Sequence, residues 1–400
     1  MDDLDLYLFD VECSIYGATR LGNKILTITS DCKVCCISFN KFKPQISEIE
    51  FAYIPNGAKI RSISILERSP NDEVIGITHS KNTIYYLNLY ASQANLDLEH
   101  IAQGCQTIRL RYVPYHLFPC ETLTSDGRSL KCWLLSGGDC CIHLFIENTI
   151  SQNFEEKCID DHFPELSGTF ECPALWIDFK AFKGFELEER IVALGFEDGT
   201  VRLFHSAFSR ETKKYTLIRK SLFEEYNTII PCVRLFDIHS VKESCQVRQK
   251  IVGENPRSAK TKRPTYNLLL VSSTNPCIIF KDILNEGFDL KQILPESRRI
   301  DCNTTAAVGD IDFDGRNEIL IGNHGKEILT YKYNGTEYEL CNIKRVNNPI
   351  YSLLVFDITG DALNDVCVLL SNGILIMQSS VKDAVKTFEN RIASILSRLQ

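Results

Sequence analysis

Apolar residues recur along the chain in paired runs with the character of β-strands. Seven segments share one order: an apolar run, a short turn containing Gly, Asn, Asp or Ser, and a second apolar run, as in VIGITHSKNTIYYL from Val74. This pattern predicts a β-hairpin in each segment. The segments begin at residues 26, 74, 132, 191, 268, 319 and 366.

The spacing of the hairpins indicates a repeat. Successive starts are separated by 48, 58, 59, 77, 51 and 47 residues, close to the roughly 40 to 50 residues of one four-stranded propeller blade. Further apolar strands precede several hairpins, as at 60–66 and 352–358. Sheets that are apolar on both faces cover one another when they are arranged in a ring. The sequence therefore predicts an all-β fold, a seven-bladed β-propeller over residues 1–380.

Two segments outside the hairpins bear on the predicted ring. The N-terminal segment with Leu6, Leu8 and Phe9 is predicted to supply the missing strand of the seventh blade. The longest interval contains a basic insertion at 241–264, in which residues 241–263 hold seven Lys or Arg against two Glu. A charge run of this kind is typical of a solvated loop.

The final stretch of the chain departs from the β pattern. Its apolar residues recur at steps of four and three, which predicts an amphipathic C-terminal helix over 381–400. The stripe is Val381, Val385, Phe388, Ile392, Ile395 and Leu399. It has two interpretations: it packs on the propeller, or it binds a partner helix or groove because it is narrow and heptad-like. The second makes Val385, Phe388, Ile392, Ile395 and Leu399 candidate partner-binding residues.

Composition narrows the classes of function. The 400 residues are 44% hydrophobic and 24% charged, with a net charge of -8. This balance of charges offers no general basic surface for binding nucleic acid. No apolar run reaches the roughly 18 residues of a membrane span, so no membrane insertion is expected. The 17 cysteines are scattered, mostly within apolar runs. They predict reduced core residues of an intracellular protein.

The most specific local motif is the acidic loop GDIDFDGRNEILIG at 309–322. Asp310, Asp312, Asp314 and Glu318 occupy its positions one, three, five and nine, with Gly315 at position six. Such alternating carboxylates can converge on one Ca²⁺ or Mg²⁺ ion. The other interpretation needs no cofactor, because Asp side chains also cap their own turn by accepting hydrogen bonds from backbone amides.

A second acidic loop, FDITGDALNDVCVL, follows at 356–369. Thr359 replaces the third-position carboxylate, and Ala362 replaces the glycine. We therefore expect no cation there. The pair of loops resembles the FG-GAP repeats of integrin-type propellers.

Catalytic motifs do not emerge from the sequence. It contains no Gly-rich phosphate loop, nucleophile elbow or HExxH motif, and we predict that the protein is not an enzyme. The alternative is an active site in the propeller channel. It would require two or more carboxylates or histidines within reach of one ligand.

Several motifs taken together resemble the kaptin family. In order they are FAYIPNGAKIRSIS at 51–64, LLSGGDCCIHLF at 134–145, FPELSG at 163–168, LFDIHSVKES at 235–244, the 309–322 loop and FDITGDALNDVCVL at 356–369. The similarity runs from about residue 20 to the end of the chain. The shortened N-terminus and the basic insertion depart from the family pattern.

The resemblance implies a role without catalysis. Kaptin-like proteins are implied to be scaffold subunits of the KICSTOR complex, which recruits GATOR to the lysosome and restrains TOR signalling during amino-acid or glucose shortage. The implied partners are a second FG-GAP-type propeller and a very large scaffold chain, with GATOR contacted indirectly. The implied location is the cytoplasm and, through the complex, the lysosomal membrane. An alternative role is binding of actin filaments at the cell cortex and lamellipodia.

Overall fold

The chain forms a ring of seven four-stranded antiparallel sheets. This is a computed structural model. The prediction of an all-β, seven-bladed propeller is confirmed. The residues described are 2–8, 14–29, 31, 33–40, 43–70, 72–91, 98–148, 150–184, 187–239, 264–298, 301–379, 381–382, 384–387, 389 and 392–393.

Strand β1 (Asp2–Leu8) precedes the first complete blade. Blade 1 contains β2 (Ala18–Leu21), β3 (Lys24–Ile28), β4 (Val34–Asn40) and β5 (Lys43–Ile49). Blade 2 contains β6 (Lys59–Ser69), β7 (Asp72–Lys81), β8 (Ile84–Ala91) and β9 (Gln106–Leu110). Blade 3 contains β10 (Pro114–Leu123), β11 (Ser129–Gly137), β12 (Ile142–Glu147) and β13 (Phe154–Lys157).

Blade 4 contains β14 (Ala174–Lys183), β15 (Glu188–Phe196), β16 (Val201–Ser209) and β17 (Lys214–Phe223). Blade 5 contains β18 (Cys232–Phe236), β19 (Asn267–Val271), β20 (Ile278–Phe280) and β21 (Lys291–Ile293). Blade 6 contains β22 (Asn303–Gly309), β23 (Glu318–Asn323), β24 (Glu327–Tyr333) and β25 (Tyr338–Arg345). Blade 7 contains β26 (Ile350–Phe356), β27 (Asp365–Leu370) and β28 (Gly373–Gln378), with β1 as its fourth strand.

Each predicted hairpin forms the second and third strands of a blade. In blade 2, for example, β7 pairs with β8 antiparallel, from Val74 opposite Ala91 to Lys81 opposite Ile84. The apolar stretches at 60–66 and 352–358 lie largely in the first strands β6 and β26. The repeat predicted from the sequence therefore corresponds to one complete blade.

The N-terminal strand closes the ring. β1 pairs antiparallel with β28, with Asp2 opposite Gln378 and Leu8 opposite Gly373. This confirms that the start of the chain completes blade 7, although Phe9 lies outside the described residues. Blades 7 and 1 also share an apolar cluster that includes Ile25 and Ile376, both fully buried. Closure is thus supported by backbone pairing and by burial of apolar side chains.

The hydrophobic core lies between neighbouring blades rather than at the centre of the ring. Between blades 2 and 3, the fully buried Trp133 packs with Leu66 and Val74. Gly76 makes this approach possible, because a Cβ there would lie 2.6 Å from Leu117 Cδ2 and 3.2 Å from Trp133. A glycine lets two sheets approach at a distance that any larger side chain would prevent.

The FPELSG motif forms part of a buried ion pair. Arg190 of β15 has no exposed surface, and its Nε donates to Glu165 Oε1 at 2.7 Å. The guanidinium carbon lies 4.0 Å from the ring centre of Phe163 and 3.5 Å from that of Tyr215. Glu165 belongs to a 3₁₀ turn, Pro164–Leu166, between blades 3 and 4. The pair joins this connection to blade 4, since a buried charge requires a close partner.

Helices are few among the described residues. Helix α1 (Leu98–Ile101) follows β8, and the described residues between 381 and 393 are helical, as predicted for the C-terminus. None of the helices in these ranges has the length and hydropathy of a membrane span. The basic insertion, residues 241–264, lies almost wholly outside the described residues, so its interpretation as a solvated loop stays a prediction.

Candidate functional site

The acidic turn of blade 6 connects β22 to β23. Asp310 directly follows β22, and Glu318 is the first residue of β23. Between them the chain turns through two residues with positive φ, Phe313 at 66° and Gly315 at 85°. Glycine adopts this conformation without the steric cost of a Cβ. The turn folds the alternating carboxylates towards one another.

Three of the four predicted metal ligands are brought within reach of one ion by this turn, and the fourth, Glu318, lies beside them. Carboxylate oxygens of Asp310, Asp312 and Asp314 all lie within 4.8 Å of one another. Glu318 reaches the same turn from β23, where its Oε2 accepts a hydrogen bond from the Ile311 amide at 2.9 Å. The cluster carries four carboxyl groups within nine consecutive residues.

Backbone capping accounts for some of these oxygens but not for all. Asp310 Oδ2 accepts from the Gly315 amide at 3.0 Å, and Asp312 Oδ1 accepts from the Asp314 amide at 3.1 Å. Asp310 is 8% exposed and Glu318 is 2% exposed. Asp310 Oδ1 and Glu318 Oε1 are buried and have no hydrogen-bond partner among the described residues. The capping interpretation therefore leaves two buried acceptors unexplained.

Burial changes the titration of these two side chains. It raises the pKa of Glu318 to about 8, with a further rise from the negative charge of Asp312. Burial also raises the pKa of Asp310 to about 6. The cause is that a carboxylate loses hydration in the protein interior, which favours the neutral acid.

A lysine on the neighbouring strand partly neutralises the turn. Lys332 of β24 forms a short ion pair with Asp312, and its Nζ lies 3.0 Å from Asp314 Oδ2. Although burial opposes the change, these carboxylates raise the pKa of Lys332. Lys332 is not among the site residues predicted from the sequence motifs. Its position fourteen residues after Glu318, on the adjacent strand of a predicted hairpin, was the available signal.

The acidic turn of blade 7 has the same spacing of acidic positions, but its carboxylates are held by different hydrogen bonds. Asp357 accepts hydrogen bonds from the amides of Gly360 at 2.6 Å, Asp361 at 3.2 Å and Ala362 at 2.8 Å. Both of its carboxylate oxygens are used. Ala362 holds the position of the glycine with a φ of 69°. Here the backbone itself supplies the donors for the first-position carboxylate.

The ninth-position carboxylate of blade 7 is also held by the backbone. Asp365 is fully buried, and its Oδ2 accepts from the amides of Ile358 at 3.0 Å and Thr359 at 3.3 Å. Burial raises the pKa of Asp365 to about 6. Gln378 of β28 donates to Asp361 Oδ2 at 2.8 Å. A neutral amide thus stands where blade 6 has Lys332.

The acidic turns also join adjacent blades. Asn317, at position eight of the blade 6 turn, donates from Nδ2 to the Asp237 carbonyl of blade 5 at 2.8 Å. Asn364, at position eight of the blade 7 turn, donates to the Asp310 carbonyl at 2.7 Å. Each asparagine therefore fixes its own turn to that of the preceding blade.

An aromatic cluster joins the segment before blade 1 to the first strands of blades 3 and 4. Tyr16 precedes blade 1 and reaches across to donate a hydrogen bond to the Leu175 carbonyl of blade 4. Its ring stacks on His116 at 5.1 Å and lies 5.9 Å from Trp176. His116 Nδ1 accepts from the Ile177 amide at 2.9 Å, and burial lowers its pKa to about 3. The cluster packs neutral rings against one another.

A carboxylate near this cluster has its hydrogen bonds satisfied. Asp178 Oδ2 accepts from the Leu235 amide at 2.7 Å, and Oδ1 accepts from the Phe179 amide at 2.9 Å. Burial raises its pKa. In this structure Asp178 connects blades 4 and 5 through its hydrogen bond to the Leu235 amide.

The C-terminal helix exposes much of its described apolar surface. Val381 is 56% exposed, Val385 is 52% exposed and Ile392 is 42% exposed, whereas Ala384 is buried. Phe388, Ile395 and Leu399 lie outside the described residues. The three described members of the stripe are thus not covered by the propeller.

A second exposed apolar group lies on the outer strands of blades 4 and 5. Leu217, Ile218 and Leu222 of β17 and Ile293 of β21 are all exposed. The two blades are joined near these strands by Arg219, which donates to the Asn285 carbonyl at 2.5 Å. Exposed apolar side chains on the surface of a domain are candidate contacts for other proteins.

Comparison with known proteins identifies the family. The family model for KICSTOR complex protein kaptin matches residues 2–389. The chain belongs to the kaptin family. Mouse KICSTOR complex protein kaptin is 30% identical over 405 residues, which covers 96% of this chain and 89% of the mouse protein. The kaptin resemblance read from the sequence motifs is confirmed.

Solved structures agree with the fold at low sequence identity. U3-55K has a TM-score of 0.54 at 11% identity and covers 94% of this chain and 98% of its own. Sqt1 from Chaetomium thermophilum has a TM-score of 0.52 at 10% identity, over 91% of this chain and 80% of its own. These similarities concern the fold alone. Kaptin-family membership and the propeller fold together point to a non-catalytic protein.

Proposed function

We propose that this kaptin-family protein is a non-catalytic scaffold subunit of a KICSTOR-type complex. In this role it helps to recruit GATOR to the lysosome and restrains TOR signalling when amino acids or glucose are short. The observation that carries the proposal is the family match over residues 2–389, which spans the whole propeller. A shared architecture over this length supports a shared role in assembly.

The packing of the ring supports a role in binding partners. Tyr16, His116 and Trp176 stack where the first strands of the blades converge. The faces, the rim and the C-terminal helix are then the surfaces that remain for other proteins. A closed propeller presents them on a rigid frame, so several partners can bind without rearrangement of the core.

We propose that the C-terminal helix contributes one contact. Val381, Val385 and Ile392 are exposed, although apolar side chains of this size are stabilised by burial. The candidate contact residues are Val385, Phe388, Ile392, Ile395 and Leu399. In the proposed KICSTOR-type complex, its partners are a second FG-GAP-type propeller and a very large scaffold chain. GATOR is contacted indirectly, through the complex.

The test is affinity purification of the tagged full chain from cells of the source organism, followed by mass spectrometry. The double variant Val385→Asp and Ile392→Asp should lose a KICSTOR-type subunit that the wild type retains, with little change in melting temperature. Ile150→Asp is the matched control, because Ile150 is 93% exposed in the turn between β12 and β13. It should retain every partner.

Three results would count against parts of this proposal. Recovery of no KICSTOR-type subunit with the wild type would contradict the scaffold role. Full retention by the double variant would exclude the helix and favour the exposed strands of blades 4 and 5. Co-sedimentation of the wild type with actin filaments, without KICSTOR-type subunits, would favour actin binding at the cell cortex.

A further inference from the structure

The acidic turn of blade 6 contains two buried carboxyl oxygens that the hydrogen bonds of the turn leave unused. Asp310 Oδ1 and Glu318 Oε1 are buried and accept no hydrogen bond among the described residues. Glu318 is 2% exposed, and its other oxygen is held by the Ile311 amide inside the turn. Leaving a buried carboxylate oxygen without a partner is costly. The turn is therefore incomplete as a purely backbone-capped structure.

The geometry of the cluster fits a hard divalent cation. Two oxygens bound to one Ca²⁺ at about 2.4 Å can be at most about 4.8 Å apart. The oxygens of Asp310, Asp312 and Asp314 meet this limit for every pair. Glu318 lies beside this group at the start of the adjoining strand, where it accepts a hydrogen bond from the Ile311 amide. Calcium is favoured over magnesium because it accepts several carboxylates in an irregular arrangement.

Lys332 satisfies only part of this negative charge. Its ammonium group contacts Asp312 and Asp314, the two members of the cluster that are more exposed than Asp310 and Glu318. Its side chain is 40% exposed, so it can turn towards solvent when another cation enters. An ammonium group is a single charge with three donors, whereas a divalent ion can contact the carboxylates of Asp310, Asp312 and Asp314 at once.

We propose that the blade 6 turn binds one divalent cation through Asp310, Asp312 and Asp314, with Glu318 beside the site, and that Lys332 competes with this cation. Binding displaces the lysine from Asp312 and Asp314. The need to displace it makes the site weak, because the cation must overcome an existing ion pair. Removal of the lysine should strengthen the site.

The blade 7 turn provides an internal comparison. Asp357 uses both oxygens to accept backbone hydrogen bonds, and Thr359 replaces the third-position carboxylate. Gln378 already donates to Asp361. Fewer carboxylates remain there for an ion, so the two turns should differ in cation binding within one protein.

A bound cation would also stabilise the contact between blades 6 and 7. The Asp310 carbonyl accepts from Asn364, and the Ile311 carbonyl accepts from Ser379 Oγ at 2.5 Å. Ser379 lies just after β28, where the chain turns towards the C-terminal helix. A firmly held turn therefore fixes both the blade interface and the base of this helix.

The experiment is calorimetric titration of the full chain, freed of metal with chelator, with CaCl₂ and separately with MgCl₂. We expect saturable binding of one Ca²⁺ with a Kd of about 1 mM or lower, and a higher melting temperature in calcium. Lys332→Met should lower the Kd at least about fivefold, because a competing positive charge is lost. Asp314→Asn should raise it at least about tenfold, because a charged ligand is lost.

Asp361→Asn is the matched control, since Asp361 occupies the same position in blade 7; it should leave calcium binding unchanged. The melting temperature of each variant without metal checks that it is folded. Absence of binding by both the wild type and Lys332→Met, at about 10 mM of either ion, would overturn the proposal. Equal binding by Asp314→Asn and the wild type would overturn it as well, because the ion would then lie elsewhere.

Discussion

The acidic turns of blades 6 and 7 occupy matching places in neighbouring sheets. In each, the ninth-position acid begins the second strand, as Glu318 in β23 and Asp365 in β27. Lys332 and Gln378 also correspond, because Tyr331 pairs with Ile319 and Met377 pairs with Val366. The two turns are therefore held by the same arrangement of strands. The difference lies in how each turn satisfies its carboxylates.

Both turns accept hydrogen bonds from backbone amides, but blade 6 adds the positive charge of Lys332 where blade 7 has the neutral Gln378. Asp357 accepts three amide hydrogen bonds, but Asp310 Oδ1 has no partner among the described residues. In blade 7, one buried oxygen, Asp365 Oδ1, likewise has no hydrogen-bond partner among the described residues. One spacing of acids can thus form either a capped turn or a charged cluster, and the neighbouring side chain helps to decide which.

The largest difference should follow removal of the ninth-position acid. Asp365→Ala leaves two backbone amides and the Thr359 hydroxyl without their acceptor. We expect a loss of about 3 kcal/mol in the free energy of unfolding. Glu318→Ala removes the acceptor of one amide and should cost about 1 kcal/mol. Denaturant unfolding in EDTA measures both, and a greater loss for Glu318→Ala would contradict the comparison.

The pH dependence should separate the same two acids. Folded Glu318 keeps its proton up to about pH 8, while the unfolded chain loses it near the ordinary value of 4.5. The wild type therefore loses stability as the pH rises through this window, because its folded state binds more protons. Glu318→Gln does not titrate, so its stability relative to the wild type should increase through this window by up to about 1.4 kcal/mol per pH unit.

Asp365→Asn is the comparison for this measurement. The pKa of Asp365 rises from the ordinary 3.8 to about 6, so the change relative to the wild type should be complete by about pH 6. Unfolding midpoints in EDTA between about pH 4.5 and pH 8.5 distinguish the two windows. Coincident curves for the two variants would show that the turns do not differ in this way.

A smaller effect is expected at position six of the turns. Gly315 has a φ of 85° and Ala362 a φ of 69°. Gly315→Ala should cost about 1 kcal/mol, because a Cβ is disfavoured in this conformation. Ala362→Gly should change stability by less than about 0.5 kcal/mol, since relief of strain is offset by greater freedom of the unfolded chain. Thermal unfolding checks both, and equal losses would contradict this reasoning.

The smallest effect on stability is expected for Lys332, on the third strand of blade 6. Lys332→Gln gives blade 6 the donor of blade 7 and should cost less than about 1 kcal/mol in EDTA, because the ion pair is partly exposed to solvent. The difference should shrink further in about 0.5 M NaCl, where such pairs are screened. Urea unfolding at low and high salt measures it. A loss that does not depend on salt would indicate packing rather than charge.

Much of the fold could be predicted because its units repeat. The hairpin beginning at Val366 forms β27 and β28, and the N-terminal strand completes that blade. Alternation of apolar residues determines which faces of a strand are buried, and this signal is local in sequence. The seven cysteines that are buried among the fourteen described follow the same rule, while the other seven are partly or fully exposed.

The candidate site was only partly predictable. Asp310, Asp312, Asp314 and Glu318 are close in sequence, so their convergence on one turn could be foreseen. Lys332 could not be assigned in the same way, because its contact depends on strand register. The predicted stripe left open whether Val385 packs on the propeller or stays exposed, as it does in the structure, since a helical period shows which residues share a face but not what covers it.

The sequence by itself determined the β architecture, the seven-fold repeat and the presence of an acidic turn. Each depends on residues near one another in the chain, where alternation and turn chemistry act directly. Tertiary structure alone decided that Tyr16 would reach blade 4 and that Arg190 would pair with Glu165. It also left two oxygens of the blade 6 turn buried without a partner. These contacts join distant segments, and their energies depend on burial, which exists only after the ring has closed.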